Sequence, residues 1–172
     1  MIALFRNARR AAVAGLTLCS ILAGCGAPSA PPDSEIVARN VSEPIIVSDN
    51  AGFGRAINAF RAEDGLDPLT WSPALEAAAR RHARDMAETG ALSHRGSDNS
   101  AVGDRARAEG YAWCQIAENI AFGYADQATV LEGWKSSPGH RRNLLLKGAQ
   151  DFGLAQVQQD YWVLVLGRDA DC

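Results

Sequence analysis

Two of the three histidines in this chain of 172 residues stand in segments suited to chemistry. His94 lies in the polar stretch LSHRGSDNS, which predicts a loop, and functional side chains are commoner in loops than in packed elements. His140 follows Ser137-Pro138-Gly139, a pattern typical of a helix start, so we expect it at about the third residue of a helix. The positive end of the helix dipole favours the neutral imidazole, which can bind a metal or accept a proton.

Glu118 is the acidic residue that would complete such a site. It stands among the apolar residues of the stretch IAENIAF, which predicts a partly buried carboxylate. A buried carboxylate needs a charged or hydrogen-bonding partner, and His94 or His140 would serve. Two histidines and one carboxylate could form an open site for a divalent metal such as zinc. They could equally form an acid/base pair, or a polar network that joins a helix start to a loop.

His82, the third histidine, is a weaker candidate. It falls on the apolar stripe of a predicted helix, in register with Leu75, Ala79 and Met86. This position favours a core histidine that donates one hydrogen bond.

Several common functional signatures are absent from the sequence. It has no HExxH, GxSxG, CxxC or GxxxxGK[ST] motif, which excludes the usual zincin, α/β-hydrolase, dithiol and P-loop sites. Its 17 Lys and Arg residues are outnumbered by 20 Asp and Glu residues, and no basic run stands out. Nucleic acid is therefore not an expected partner.

Helical patterns come first and strand patterns last, which predicts an α+β domain with helices packed on a small antiparallel sheet. The best helix begins at the N-cap Ser72, has Pro73 in its first position and ends at Gly90. A compact segment closed by Gly123 is expected to contain Glu118. Helices are predicted in FGRAINAFRAEDGL, AVGDRARAEGY, DQATVLEGWKSS and from Ser137 to about Leu146, and an antiparallel hairpin in FGLAQVQQ and YWVLVLGR.

The N-terminus has the layout of a secretory signal. Arginines at positions 6, 9 and 10 precede an apolar run that is too short for a permanent membrane span. The residues LAGC, ending at Cys25, resemble the lipobox of bacterial lipoproteins, which implies that Cys25 is lipidated and anchors the protein to a membrane. The residue after Cys25 is Gly26 rather than an aspartate, which resembles lipoproteins that are sent on to an outer membrane.

The chain accordingly divides into three parts. Residues 1–24 are predicted to be the signal peptide, and residues 25–51 a linker rich in Pro, Ser and Ala. Residues 52–172 are predicted to fold as a single domain with one core.

Processing would leave two of the four cysteines, Cys114 and Cys172, in the folded part. In an extracytoplasmic compartment a disulfide between them is expected, and a loop of this length would stabilise the fold by about 4 kcal/mol in the chain-entropy model. Two free thiols or an intermolecular bridge remain the alternatives.

Five motifs, which together cover nearly all of residues 53 to 167, carry a family resemblance. In order, they are INAFRAEDGLDPLTW, LEAAARRHARDMAETGALSHRG, AENIAFG, GWKSSPGHRRNLL and FGLAQVQQDYWVLVLG. With these motifs the chain resembles the bacterial branch of the CAP superfamily (cysteine-rich secretory proteins, antigen five and pathogenesis-related proteins), also called the SCP domain. This resemblance implies an α-β-α sandwich and an extracytoplasmic location.

The resemblance also implies a cavity lined by two histidines and two acidic residues, which in some members holds a divalent metal. His94 in LSH and Glu118 in AEN match the first histidine and the first glutamate. The second histidine of the eukaryotic pattern heads the strand that here reads YWVLVL, so Tyr161 takes its place. The second glutamate has no counterpart in WKSSPGH, where His140 is expected to enter the cavity from the helix side.

Three functions remain compatible with these residues. The first is a lipid-anchored envelope module whose cavity, formed by His94, Glu118 and His140, binds a divalent metal, a lipid, a peptide or an envelope polymer. The second is a metal-assisted hydrolase of a peptide or envelope polymer, with Glu118 as base or ligand. The third is an envelope scaffold in which the polar network only stabilises the fold. Fold alone does not decide among them.

Overall fold

The computed structural model describes residues 50–158 and 160–170. The predicted signal peptide, Cys25, nearly all of the linker and Cys172 lie outside this range. No helix within the range has both the length and the apolar character needed to cross a bilayer. The described elements are α1 (Asn50–Glu63), β1 (Thr70–Trp71), α2 (Pro73–Thr89), α3 (Val102–Ala108), β2 (Trp113–Phe122), α4 (Gln127–Ser136), α5 (Pro138–Leu144), β3 (Asp151–Val157) and β4 (Tyr161–Asp169).

The four strands form one sheet in the order β1-β3-β4-β2. The predicted hairpin is confirmed, because β3 and β4 pair antiparallel, as do β4 and β2. The sheet was expected to be wholly antiparallel, but the short β1 runs parallel to β3. A parallel pair needs a long crossover connection, and here four helices and one strand lie between β1 and β3 along the chain.

Helices cover both faces of the sheet, which confirms the predicted α-β-α sandwich. On one face α2 packs against β3 and β4, and the interior there includes Leu75, Ala79 and Met86. On the other face lie α1, α4 and α5, whose core contains Ile57 and Trp134. We call these the α2 face and the α5 face.

The helix α2 begins and ends as its sequence predicts. The Ser72 hydroxyl accepts a hydrogen bond from the Leu75 amide at 3.3 Å, and Gly90 ends the helix in the left-handed conformation at φ +69°. Gly153 of β3 allows the helix start to approach the sheet, because a Cβ there would lie 2.1 Å from the Glu76 nitrogen. This close packing fixes which side of α2 faces the strands.

The segment around Glu118 is a strand of ten residues, whereas the sequence predicted only a compact segment. Alternation along β2 puts Glu118 and Ile120 on the α2 face and Asn119 and Ala121 on the α5 face. Two adjacent polar residues in the middle interrupt the apolar alternation that usually signals a strand. Tertiary contacts satisfy both of them, as described below.

Candidate functional site

The Glu118 carboxylate lies at the centre of a cluster of cationic or potentially cationic side chains. Its side chain is 3% exposed. Arg105 Nη2 donates to Oε2 at 2.7 Å, and His94 Nδ1 lies 2.8 Å from Oε1. His82 Nε2 is 3.9 Å from the same Oε1. The buried negative charge is therefore paired and hydrogen-bonded at both oxygens, as a buried carboxylate requires.

Four separate elements bring this cluster together. Glu118 is near the middle of β2, opposite Val165 of β4, and its side chain is on the α2 face. His82 comes from α2, His94 from the loop that follows it, and Arg105 from α3. Because these partners are distant in sequence, the pairing depends on how α2, α3 and the sheet pack.

Arg105 is the functional neighbour that sequence reasoning missed. It is only 2% exposed, and its guanidinium also donates to the carbonyl oxygens of Ser100 at 2.9 Å and His94 at 3.3 Å. One buried cation thus joins Glu118 to two points of the loop, at His94 itself and near the loop's end at Ser100. The sequence does carry a signal for it, because a buried carboxylate requires a charged partner and an arginine meets that requirement as well as a histidine does.

His94 is held from the inside but remains accessible from outside. Its side chain is 59% exposed although Nδ1 is hydrogen-bonded to buried Glu118. This hydrogen bond raises the pKa of His94 above the usual histidine value, with the charge of Glu118 acting in the same direction. The other ring nitrogen, Nε2, lies on the opposite edge of the imidazole, so the carboxylate orients the ring without using the nitrogen that a ligand would meet.

His82 is the core histidine that the apolar stripe predicted. It is fully buried, and its Nε2 donates to the Ser93 carbonyl at 2.7 Å. Burial lowers the pKa of His82, which favours the neutral ring. The hydrogen bond to the residue before His94 makes His82 a support of the loop rather than a surface group.

His140 is the third residue of α5, as predicted, and its side chain is half-buried. Burial lowers the pKa of His140, and the positive charge that His94 can carry lowers it further. The backbone of α5 is fastened to β2, since Asn119 Nδ2 donates to the His140 carbonyl at 3.2 Å. Asn143 Nδ2 donates in turn to the carbonyl of Glu118 at 3.0 Å and to Asn119 Oδ1 at 2.8 Å.

Tyr161 is not part of this cluster. It begins β4, pairs with Phe122 and packs against that ring, with centroids 4.8 Å apart and ring planes tilted by 56°. Val165, the strand partner of Glu118, is four residues further along β4, which is about 13 Å at the usual rise of a strand. Tyr161 is thus separated from Glu118 along the sheet, and its correspondence to the family's second cavity histidine stays a prediction.

Comparison with known proteins identifies the fold that positions this cluster. A sequence model of the CAP family, the cysteine-rich secretory protein family, matches residues 55–166. The chain belongs to the CAP family. The solved structures similar to this CAP domain include an extracellular SCP-domain protein from Bacillus anthracis, with a TM-score of 0.66, 26% identity and coverage of 69% of this chain and 40% of that one. An outer surface protein from Borrelia burgdorferi shares the fold, with a TM-score of 0.63 and 20% identity over 69% of this chain and 91% of its own.

Two Bacillus subtilis proteins are related in sequence to the CAP domain. The uncharacterized membrane protein YlbC is 35% identical over 105 residues, which are 61% of this chain and 30% of YlbC. The uncharacterized protein YkwD is 29% identical over 133 residues, which are 77% of this chain and 52% of YkwD. This chain thus spans about a third of one relative and half of the other.

The CAP domain does not present His94, Glu118 and His140 as a set of free metal ligands. Both Glu118 oxygens already accept hydrogen bonds, one of them from a buried arginine whose positive charge opposes a nearby metal cation. Among residues 50–158 and 160–170, no group of three or more His, Cys, Asp or Glu side chains is arranged to hold a metal ion. The donor set therefore does not fit the predicted three-ligand zinc site, and no reaction step is assigned to a metal.

Cys114 of β2 lies close in space to the end of β4. Its Sγ is 3.1 Å from the carbonyl oxygen of Asp169, the last residue of that strand. Cys172 is outside the described residues, so the disulfide between Cys114 and Cys172 stays a prediction.

Proposed function

We propose that this protein is an extracytoplasmic, lipid-anchored CAP-domain module that binds a small ligand of the cell envelope through His94 and His140. The N-terminal signal pattern and Cys25 in LAGC support the location and the anchor. The similar proteins support an envelope location too, because they are described as an extracellular protein, an outer surface protein and a membrane protein.

The observation that carries this proposal is the exposed imidazole held by a buried carboxylate. Arg105 already compensates the charge of Glu118, so the carboxylate does not need His94 to be stably buried. An imidazole that is 59% exposed contributes little packing, yet its orientation is fixed by a 2.8 Å hydrogen bond. Fixing a polar group at the surface reduces the entropy lost when it binds a ligand.

The two histidines also differ in their chemistry. The raised pKa of His94 favours the imidazolium, which donates from both nitrogens, whereas the lowered pKa of His140 favours the neutral ring. A ligand with a carboxylate or other acceptor group would pair with His94, and peptides and envelope polymers carry such groups. Binding is favoured over hydrolysis because Glu118, the residue expected to act as base, is paired with Arg105.

Calorimetry on the full-length protein in detergent tests the ligand site. Muropeptides carrying free carboxylates and Zn²⁺ alone serve as separate probes. We expect muropeptide binding to the wild type and a loss of at least about tenfold, or 1.4 kcal/mol, in His94→Gln. Glu132→Gln is the matched control, since Glu132 is exposed and lies on α4. Equal affinities of wild type and His94→Gln, or binding of Zn²⁺ with no muropeptide binding, would exclude the proposed ligand class.

Cell fractionation tests the anchor separately. Cys25→Ser should move the protein from the membrane fraction to the soluble extracytoplasmic fraction, while the wild type stays with the membrane. A Cys25→Ser protein that is still cleaved and still sediments with membranes would contradict lipidation at this residue.

A further inference from the structure

Trp71 is the largest of the exposed apolar side chains in the part of the chain that the structure describes. It is 44% exposed, and the other large apolar residues with a similar exposure are Leu92 and Phe122. Trp71 ends β1, which is an edge strand of the sheet, and the nearby Pro68 and Pro73 are exposed as well. This edge of the sheet therefore presents an indole ring flanked by two prolines to the surroundings.

The exposed indole is held in a fixed orientation. Its Nε1 donates to Glu76 Oε2 at 2.8 Å, and the same oxygen accepts a hydrogen bond from Asn50 Nδ2 at 2.7 Å. The other oxygen of Glu76 pairs with Arg80, so the carboxylate beside the ring is neutralised. A ring that is already oriented loses less entropy on binding, and the neutralised carboxylate does not repel an apolar or anionic surface.

Trp71 also lies where the chain enters the domain from its predicted anchor. Asn50 is the first residue of α1, and its side chain meets the same Glu76 oxygen as the indole does. Residues 26–49 connect Asn50 to Cys25. A tether of this length spans at most about 85 Å when fully extended, so a contact between the domain and the bilayer is intramolecular and even a weak contact is populated.

We propose that Pro68, Trp71 and Pro73 form a membrane-docking corner, in which the indole inserts among the lipid headgroups of the membrane that anchors Cys25. The proposal rests on the lipid anchor of the proposed function. Tryptophan is enriched at membrane–water interfaces, because its ring is apolar and its N–H is polar. Here the N–H is satisfied by Glu76, which leaves the apolar part of the ring as the exposed surface.

Phe122, another exposed aromatic residue, lies at the diagonally opposite corner of the sheet. On β3 the partner of Trp71 is Phe152, whereas Val157 is in the same row as Phe122. These two rows are about 17 Å apart along the strands, and the edge strands β1 and β2 are about 14 Å apart across the four-stranded sheet. Docking through the β1 corner therefore leaves the β2 edge, where His94 is hydrogen-bonded, accessible to a ligand of the envelope.

Fluorescence of the full-length protein reconstituted in liposomes tests the docking corner. Phospholipids brominated on the acyl chains near the headgroup quench an indole that touches them, and we expect them to quench the wild type. Trp134 and Trp162 are only 1% exposed, so Trp71→Phe should lose most of the quenching. The matched control combines Trp71→Phe with Phe122→Trp, which moves the exposed indole to the opposite corner, where its emission should stay unquenched.

Three results would overturn the docking corner. Equal quenching of the wild type and the control would mean that the domain touches the bilayer without a preferred side. Trp71 emission that ignores brominated lipid but shifts with added glycan chains or with protein concentration would assign the indole to a polymer or to a second copy. A protein that does not float with the liposomes contradicts the anchor at Cys25 together with this proposal, whereas a floating protein with unquenched Trp71 contradicts docking alone.

Discussion

Glu118 and Asn119 are adjacent in β2, are both buried, and solve the problem of a buried polar side chain in different ways. Glu118 is charged, faces α2 and is paired with Arg105 and His94, so its network ends at an exposed imidazole. Asn119 is neutral, faces α5 and exchanges hydrogen bonds with the His140 carbonyl and Asn143, so its network ends at the backbone.

This difference indicates a candidate binding site at the Glu118 network and a purely structural contact between α5 and β2 at the Asn119 network. The contacts of Asn119 and Asn143 fasten α5 along β2, which is an edge strand of the sheet. Covering an edge in this way prevents pairing with other strands, which is sufficient reason for a buried amide. The Glu118 network covers no edge and instead fixes a surface group, which is why we assign ligand binding to His94.

The largest expected effect on stability comes from replacing Arg105, the buried cation that pairs with Glu118. Arg105→Met leaves a buried carboxylate without its main partner, which should lower the free energy of unfolding by roughly 3–5 kcal/mol. Urea denaturation measures it, with Arg107→Met as the control. Arg107 lies on the same helix but is exposed and stacks on Trp113 at 4.2 Å, so its loss should cost about 1 kcal/mol or less. Equal losses of unfolding free energy in the two variants would show that the buried Arg105–Glu118 pair stabilises the fold no more than an exposed arginine does.

A smaller effect is expected on the Asn119 side. Asn119→Ala removes neutral hydrogen bonds and leaves buried partners unsatisfied, which should cost roughly 1–3 kcal/mol. A double-mutant cycle with Asn143→Ala sharpens the comparison, since the two side chains share one hydrogen bond and their effects should not add. If the losses of unfolding free energy measured by urea denaturation were strictly additive, the side chains of Asn119 and Asn143 would not be energetically coupled.

The smallest effect on stability is expected at His94, and it should depend on pH. The pKa of His94 is raised in the folded state above the value of 6.5 for a free histidine. The stabilisation is therefore complete below pH 6.5 and is lost as the pH rises through the folded-state pKa. Because the ring is 59% exposed, the contribution should not exceed about 1 kcal/mol.

Unfolding curves of wild type and His94→Gln at pH 5.5 and pH 8.5 check this sign. We expect the stability difference to be larger at the lower pH, even though ligand binding is lost at both. A difference that grows with pH would show that Glu118 does not stabilise the charged imidazole.

Much of the fold could be predicted because its signals are local. Ser72, Pro73 and Gly90 mark the limits of α2, and alternating apolar residues mark the β3–β4 hairpin. The strand around Glu118 was not predicted, since its two central polar residues are satisfied only by α3, α5 and the loop between α2 and α3. The parallel pairing of β1 was equally invisible, because two exposed residues carry no periodic pattern.

The site was predictable in part. Residue type and context alone selected His94, Glu118 and the core position of His82, and the helix-start pattern placed His140 correctly in α5. The sequence could not decide which cation pairs with Glu118, because His94, His140 and Arg105 all offered the required chemistry and only their distances differ. Tertiary packing paired the carboxylate with Arg105 and His94, joined the His140 backbone to Asn119 on the other face, and put Tyr161 about 13 Å away along the sheet. Local chemistry thus determines which residues are able to act, whereas long-range packing decides which of them meet.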